Sequence, residues 1–253
     1  MVDGLCEVLD EHLAAPRIGR EMDHAAIGCV PWLTSAAVAQ RLLKLTNFCV
    51  VVDKSPINEG AFSRAERIKR GTGIPNSAFT GLEDMVPVDD TSAPSMIGPY
   101  TDRDELPRML DPVRVVGWNK PGQKPLLHAK LLVLGQLGWR QYDTPYGERE
   151  EFKFVPQTVW FGSANSTEAA RNHLETGFVS DDPSLVQSAS WFVQTVIGFS
   201  ESAVTAGVVP RPDMRDLPWD DEAFAQASAE LRDAYEGWDA DKNDEWDADE
   251  DES

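Results

Sequence analysis

The chain has no apolar run approaching the ~18 residues that cross a bilayer as a helix. Its opening lacks the basic region followed by an apolar stretch that marks a secretory leader, so a cytoplasmic protein is expected. Cysteine is scarce: Cys6, Cys29 and Cys49 form no C-x-x-C pair, and an odd number without metal spacing points to reduced thiols rather than a disulfide framework. Histidine is equally sparse, with His12, His24, His128 and His173 and no H-E-x-x-H, so no metal site is expected; no P-loop is present. Base is short as well: 23 Lys and Arg face 43 Asp and Glu, a net charge of −20. That excess is uneven. Residues 213–253 hold 17 acidic and 3 basic residues, a net of −14, which leaves −6 on residues 1–212. The charge pattern therefore divides the chain into a globular body, 1–212, and an acidic, largely disordered tail, 213–253, with one helix expected around Glu222 to Tyr235 and the run from Trp238 to Ser253 disordered when free.

What is present reads as an α/β chain. An apolar content of 42% over 253 residues is enough for a sizeable core. Leu5, Val8, Leu9 and Leu13 fall at helical spacing over residues 3–14, with Asp3 as a cap. Ala26 to Pro31 reads as a strand, Thr34 or Ser35 as the cap of a helix reaching about Leu45, and Phe48 to Val52 as a second strand ending in Asp53-Lys54. A β-α-β unit of this kind makes the two strands parallel. A helix over 59–70 would carry Arg64, Arg67, Lys69 and Arg70, either as a solvated face or as a phosphate-backbone contact. Residues 71–99, rich in Gly, Pro, Ser and Asp, read as loop, and Asp102 to Leu110 as a short helix. Val113 to Trp118 is a strand, after which Lys120 and Lys124 flank a turn and either line a site or keep the turn soluble. Residues 136–157 read as an inserted polar hairpin, Leu174 to Ser180 as a strand, and Ser184 to Ile197 as a helix opened by Asp181-Asp182-Pro183. The order implies an α/β sandwich around a mixed sheet flanked by helices.

The chemistry concentrates between Leu126 and Glu175. In Leu127-His128-Ala129-Lys130-Leu131-Leu132-Val133-Leu134, one His and one Lys interrupt a nearly continuous apolar run, which reads as a buried strand with both polar side chains on one face. A strand over Thr158 to Phe161 then ends in Gly162-Ser163-Ala164-Asn165. If the two strands pair, His, Lys, Ser and Asn converge. Such a set suits an oxyanion such as phosphate: Lys for charge, Ser and Asn for hydrogen bonds, His for covalent or proton chemistry.

This spacing resembles the phospholipase D superfamily, whose motif is His-x-Lys, four residues, Asp, then Gly-Ser-x-Asn. The match runs through His128, Lys130, Gly162, Ser163 and Asn165, and a downstream Glu matches in Asn172-His173-Leu174-Glu175. The Asp position is occupied by Gly135. The early β-α-β stretch also looks like the opening of phospholipase D-like domains. The resemblance implies a phosphodiesterase that needs no cofactor or metal ion. His128 would be nucleophile and acid/base, Lys130 and Asn165 would hold the phosphate oxygens, Ser163 would donate to phosphate or steady the turn, and Glu175 would set the His128 tautomer. Family members build one site from two His-x-Lys motifs. This chain has one, which implies a homodimer with the site at its interface.

Substrate stays open at this level. Small single-motif members are often nucleases on DNA or RNA, and the clusters at 64–70 and 120–124 are compatible with that. A phospholipid phosphodiesterase or phosphatidyl transferase is the alternative, although no membrane-anchoring helix supports it. A non-catalytic subunit of a nucleic-acid-processing assembly, such as a phage-defence complex, is a third. The tail, with Trp238 and Trp246 among its acids, would either keep the protein soluble or mimic a nucleic-acid strand in the protein's own basic groove.

Overall fold

The computed structural model describes residues 2–54, 73–99, 101, 109–120, 127–144, 147–163, 165–167, 169 and 175–232. Its elements are α1 (Val2–Ala14), β1 (Met22–Val30), α2 (Ala36–Leu42), β2 (Asn47–Asp53), β3 (Ile74–Pro75), β4 (Met85–Pro87), β5 (Met109–Leu110), β6 (Val113–Val116), β7 (Leu131–Thr144), β8 (Gly147–Gly162), β9 (Gly177–Ser180), α3 (Pro183–Gly198), β10 (Glu201–Ser202) and β11 (Met214–Asp216).

Among the described residues seven strands form one mixed sheet in the order β10-β6-β2-β1-β7-β8-β9. β1, β2 and β6 are mutually parallel, through pairs such as Val30↔Val52 and Val52↔Val115. β7 runs against β1, with Ile27 opposite Val133 and Cys29 opposite Leu131. β8 and β9 continue the sheet antiparallel. The expected α/β class, the parallel first unit and the inserted hairpin are all seen. β7 and β8 simply continue as one long antiparallel ribbon through the polar stretch.

Strand alternation divides the core in two. On one face Leu5, Leu9 and Cys6 of α1 and Val38 and Leu42 of α2 pack against Val30, Phe48, Val50, Leu132, Leu134 and Trp160. On the other, Val186, Ala189, Val193 and Ile197 of α3 cover Ile27, Cys49, Val51, Val133 and Val159. Each such fully buried aliphatic side chain contributes about 1.5–3 kcal/mol. α3 starts where Asp182 accepts the Leu185 N–H at 2.9 Å and Pro183 occupies the first turn, a position that needs no donor. All three cysteines are buried free thiols, and burial pushes those of Cys29 and Cys49 up to about 12, which keeps them protonated and unreactive.

Some local expectations differ. β1 begins at Met22, four residues early, because His24 lies opposite Gln136 and extends the β1–β7 ladder. Gln136 is fully buried: its Oε1 accepts the Ile18 N–H at 2.8 Å and its Nε2 donates to the Pro16 carbonyl at 3.0 Å, tying the segment after α1 to the sheet. The supposed loop 71–99 contains β3 and β4, and Met109–Leu110, expected to close a helix, instead pairs with β3. The charge boundary at 212 is not a packing boundary. β11 pairs with β4, the Asp213 carboxylate meets buried Arg114, and Leu217 is 3% exposed. Residues 221–232 are helical, as expected around Glu222. The expected helix over 59–70, the turn carrying Lys124, and the tail beyond 232 lie outside the described residues. Among the described residues no helix is long and apolar enough to cross a membrane.

Two imidazoles sit between α1 and the sheet. The His12 and His24 rings meet edge-on with centroids 4.8 Å apart, and neither His12 Nε2 nor His24 Nδ1 has a hydrogen-bond partner. Burial, and then repulsion from His24, lower the His12 pKa from 6.5 to about 4. The neutral form is therefore the native one. The contribution of this site is complete above about pH 6.5, where the unfolded chain also holds His12 neutral. It is lost as pH falls toward 4, because the unfolded state binds the proton first. A shift of that size is worth about 3 kcal/mol. Urea unfolding at pH 7 and pH 4 should show His12→Leu losing less stability on acidification than the wild type, by a difference of that order. Parallel acid losses in the two proteins would contradict the assignment.

Candidate functional site

Because β1, β2 and β6 point one way and β7 the other, the end of β1, the end of β2, the start of β7, the end of β8 and the start of β9 share one rim of the sheet. The carboxyl rim of an open α/β sheet is the usual ligand-binding side. Here it carries His128 and Lys130 just before β7, Gly162-Ser163 and Asn165 at the end of β8, and Glu175 just before β9.

The His-x-Lys segment is not inside a regular strand. β7 starts at Leu131, and residues 127–130 precede it. The β1–β7 pairing stops at Cys29↔Leu131, one residue before β1 ends at Val30. One bond persists outward, from the Gly162 N–H to the Lys130 carbonyl at 3.1 Å. Leu127 is buried, whereas His128 is exposed. Just ahead of it, the Leu127 N–H approaches the Asp53 Oδ2 at 3.4 Å. Asp53 is 1% exposed and ends β2. It fixes the backbone one residue before the His, and a lone carboxylate closing an otherwise apolar strand was the signal for it in the sequence.

A cavity of 490 Å³ opens here, lined among others by His128, Lys130, Ser163, Thr176, Phe161 and Phe178. The Lys130 Nζ folds back to donate to the His128 carbonyl at 2.8 Å. Ser163 is committed on every side: its Oγ donates to Glu175 Oε2 at 2.5 Å and accepts the Thr176 N–H at 3.0 Å, while its own N–H donates to the Thr176 carbonyl at 2.9 Å. Glu175 therefore takes its hydrogen bond from Ser163 and not, as expected, from the His128 ring, which has no hydrogen-bond partner among the described residues. The Asn165 Oδ1 is shielded from solvent without a hydrogen-bond partner. Its turn is pinned to the start of α2, where the N–H groups of Thr34 and Ser35 both donate to the Ser166 carbonyl at 2.8 Å.

Lys120 lies beyond the end of β6, with its Nζ 5.0 Å from the Trp118 ring centroid. Arg64, Arg67, Lys69, Arg70 and Lys124 lie outside the described residues. A larger cavity of 720 Å³ sits between α3 and the β7–β8 ribbon, lined by Arg140, Tyr142, Trp191 and others. None of the motif residues reaches it, so size alone does not locate the chemistry. Among the described residues no group of three or more His, Cys, Asp or Glu side chains is arranged to hold a metal ion.

Gly135 has a steric explanation. The β7–β8 register shifts between Leu134 and Gly135, and Gly135 falls opposite Pro156. A Cβ there would lie 2.3 Å from the Val155 carbonyl oxygen and 2.9 Å from the Phe154 ring. The ribbon has closed over the position where the resemblance places an Asp.

No family model matches the chain, and no curated protein matches it. Restoring the motif residue tests the steric account: Gly135→Asp should lower stability by about 1–3 kcal/mol, as overpacking does, read as a drop in Tm. A variant as stable as the wild type would show that the ribbon yields there without cost.

Proposed function

We propose that the protein is a metal-independent phosphodiesterase, a nuclease acting on DNA or RNA through a phosphohistidine at a homodimer interface. The observation that carries this reading is the convergence of His128, Lys130, Ser163 and Glu175 on one rim of the sheet, with Asn165 on the adjoining turn.

In the proposed reaction a nitrogen of the exposed His128 ring attacks phosphorus in line with the leaving oxygen. A P–N bond forms, the P–O bond to the leaving alkoxide breaks, and the alkoxide takes a proton from His128 of the partner subunit. That second imidazole then removes a proton from water as the water displaces the phosphoryl group from His128. Lys130 would swing from the His128 carbonyl, a single exposed hydrogen bond, to meet a non-bridging oxygen. Asn165 would turn its amide to another. Glu175, held by the Ser163 hydroxyl, stays fixed beside the turn that carries Ser163.

The second copy has a suitable place to bind. Among the described residues β9 is an edge strand, and its Phe178 and Val179 are 55% and 52% exposed. Phe178 stacks on Phe161, with ring centroids 5.5 Å apart. An exposed apolar edge of this kind favours pairing with another chain, and it begins two residues after Glu175.

Cleavage of single- and double-stranded DNA and RNA in excess EDTA tests the reading. Turnover should persist in the chelator and fall by at least about a thousandfold in His128→Ala, as expected for loss of a nucleophile, with the dimer intact by light scattering. Undiminished turnover in the variant would refute the nucleophile. Cleavage of phospholipid but not nucleic acid would move the substrate to the lipid class.

A further inference from the structure

We propose that Trp118 and Lys120 form a stacking subsite for a base of single-stranded nucleic acid whose backbone runs along the rim to the His128 groove. The proposal rests on the nuclease reading and names a part of the substrate site that the motif residues do not supply.

The subsite is built by the backbone. β6 ends at Val116, and Gly117 takes a φ of 103°, a left-handed conformation that turns the chain sharply out of the sheet. The turn is held by the Asn119 N–H, which donates to the Val208 carbonyl at 3.0 Å. It presents a half-buried Trp118 with the exposed Lys120 over its ring, beside Val208 and Val209, which are 49% and 53% exposed. Aromatic rings interleaved with cations are what single strands stack on, because every base has a π-face and every link a phosphate.

Lys120 differs from the other cations on this side of the sheet. Lys54 is buried against Glu201, and Arg114 against Asp213. Lys130 is folded onto the His128 carbonyl. Lys120 has no carboxylate partner among the described residues and only the indole for company. On a body carrying a net −6, an unpaired cation placed on an aromatic ring marks the point where a polyanion can be gripped locally. A base entering the site would displace the ammonium from the ring toward the phosphate of the same nucleotide.

Position fits a strand in extension. Asp53 pairs with Val116 across β2 and β6, and the Asp53 N–H donates to the Pro31 carbonyl just past β1, so β6 ends at the rim beyond which His128 lies. Three strand spacings separate β6 from β7, about 14 Å. A single strand crossing the rim covers that distance within the site sizes of about 4–16 nucleotides that single-strand binders use.

The test uses fluorescence anisotropy on full-length His128→Ala protein with fluorescein-labelled oligothymidylates, one a dinucleotide and one of about twelve residues. Adding Trp118→Ala should weaken binding of the longer strand by about tenfold or more, with a penalty that grows with length. Trp118→Phe should retain most of the affinity, and Lys120→Gln should reduce the salt slope by about one. Equal affinity in Trp118→Ala, or a penalty independent of length, would overturn the subsite. Trp118-dependent binding by a wild type that cleaves no phosphodiester would sustain the subsite and sink the nuclease reading, so the two failures are distinguishable.

Discussion

The direction of β7 is the constraint on which the rest depends. β1, β2 and β6 are parallel, and a chain that continued that way would have delivered the His-x-Lys segment to the opposite rim. Instead β7 runs against β1 over Met22 to Cys29 and brings its first residues to the carboxyl ends of the parallel strands. The β8 return and the β9 start follow by antiparallel pairing. One reversal thus gathers a His and Lys, a Ser turn and a Glu from segments up to 47 residues apart in sequence, on the rim where α/β sheets bind ligands.

That rim is held by buried polar groups rather than by more core. Lys54 is 3% exposed, pairs with Glu201 and donates to the Val209 carbonyl at 3.2 Å. Glu201 also accepts the Arg211 N–H at 3.1 Å. Next to them, Arg114 joins Asp213 and donates to Ser200 Oγ at 2.6 Å, and Asp213 accepts the Ser202 N–H at 2.7 Å. Breaking one such buried pair leaves an uncompensated charge worth about 3–5 kcal/mol. The network therefore fixes segment 200–213 across the end of the sheet. It also draws the beginning of the acidic stretch into the body, a role that net charge does not reveal.

The legible parts of the sequence were those with a strong period or a fixed partner. The parallel β-α-β opening, the α3 start at Asp182-Pro183 and the long hairpin followed from alternation and capping. The site was legible as a set of residue types at recognisable spacing. Three things were not. The start of β7 at Leu131, after the His-x-Lys segment, depends on where its pairing with Cys29 of β1 begins. The role of Ser163 as the partner of Glu175 depends on the β8–β9 register, which brings Gly162 opposite Gly177. The glycine at 135 read as a missing motif residue, whereas its cause is the closeness of Val155 and Phe154 across the bulge. In each case the decisive contact is tertiary, and local pattern carries no record of it.

We propose the exposed His128 ring as a nucleophile and not merely a rim histidine. Its ring is free among the described residues, its neighbour Lys130 is held by one exposed hydrogen bond, and Glu175 is already fixed. The most direct measurement is an alkaline quench of the enzyme during turnover of an oligonucleotide, followed by peptide mapping by mass spectrometry. The expected result is an acid-labile phosphoryl adduct on the peptide containing His128. Steady turnover with the adduct on another residue, or with none accumulating under any substrate or quench time, would contradict it.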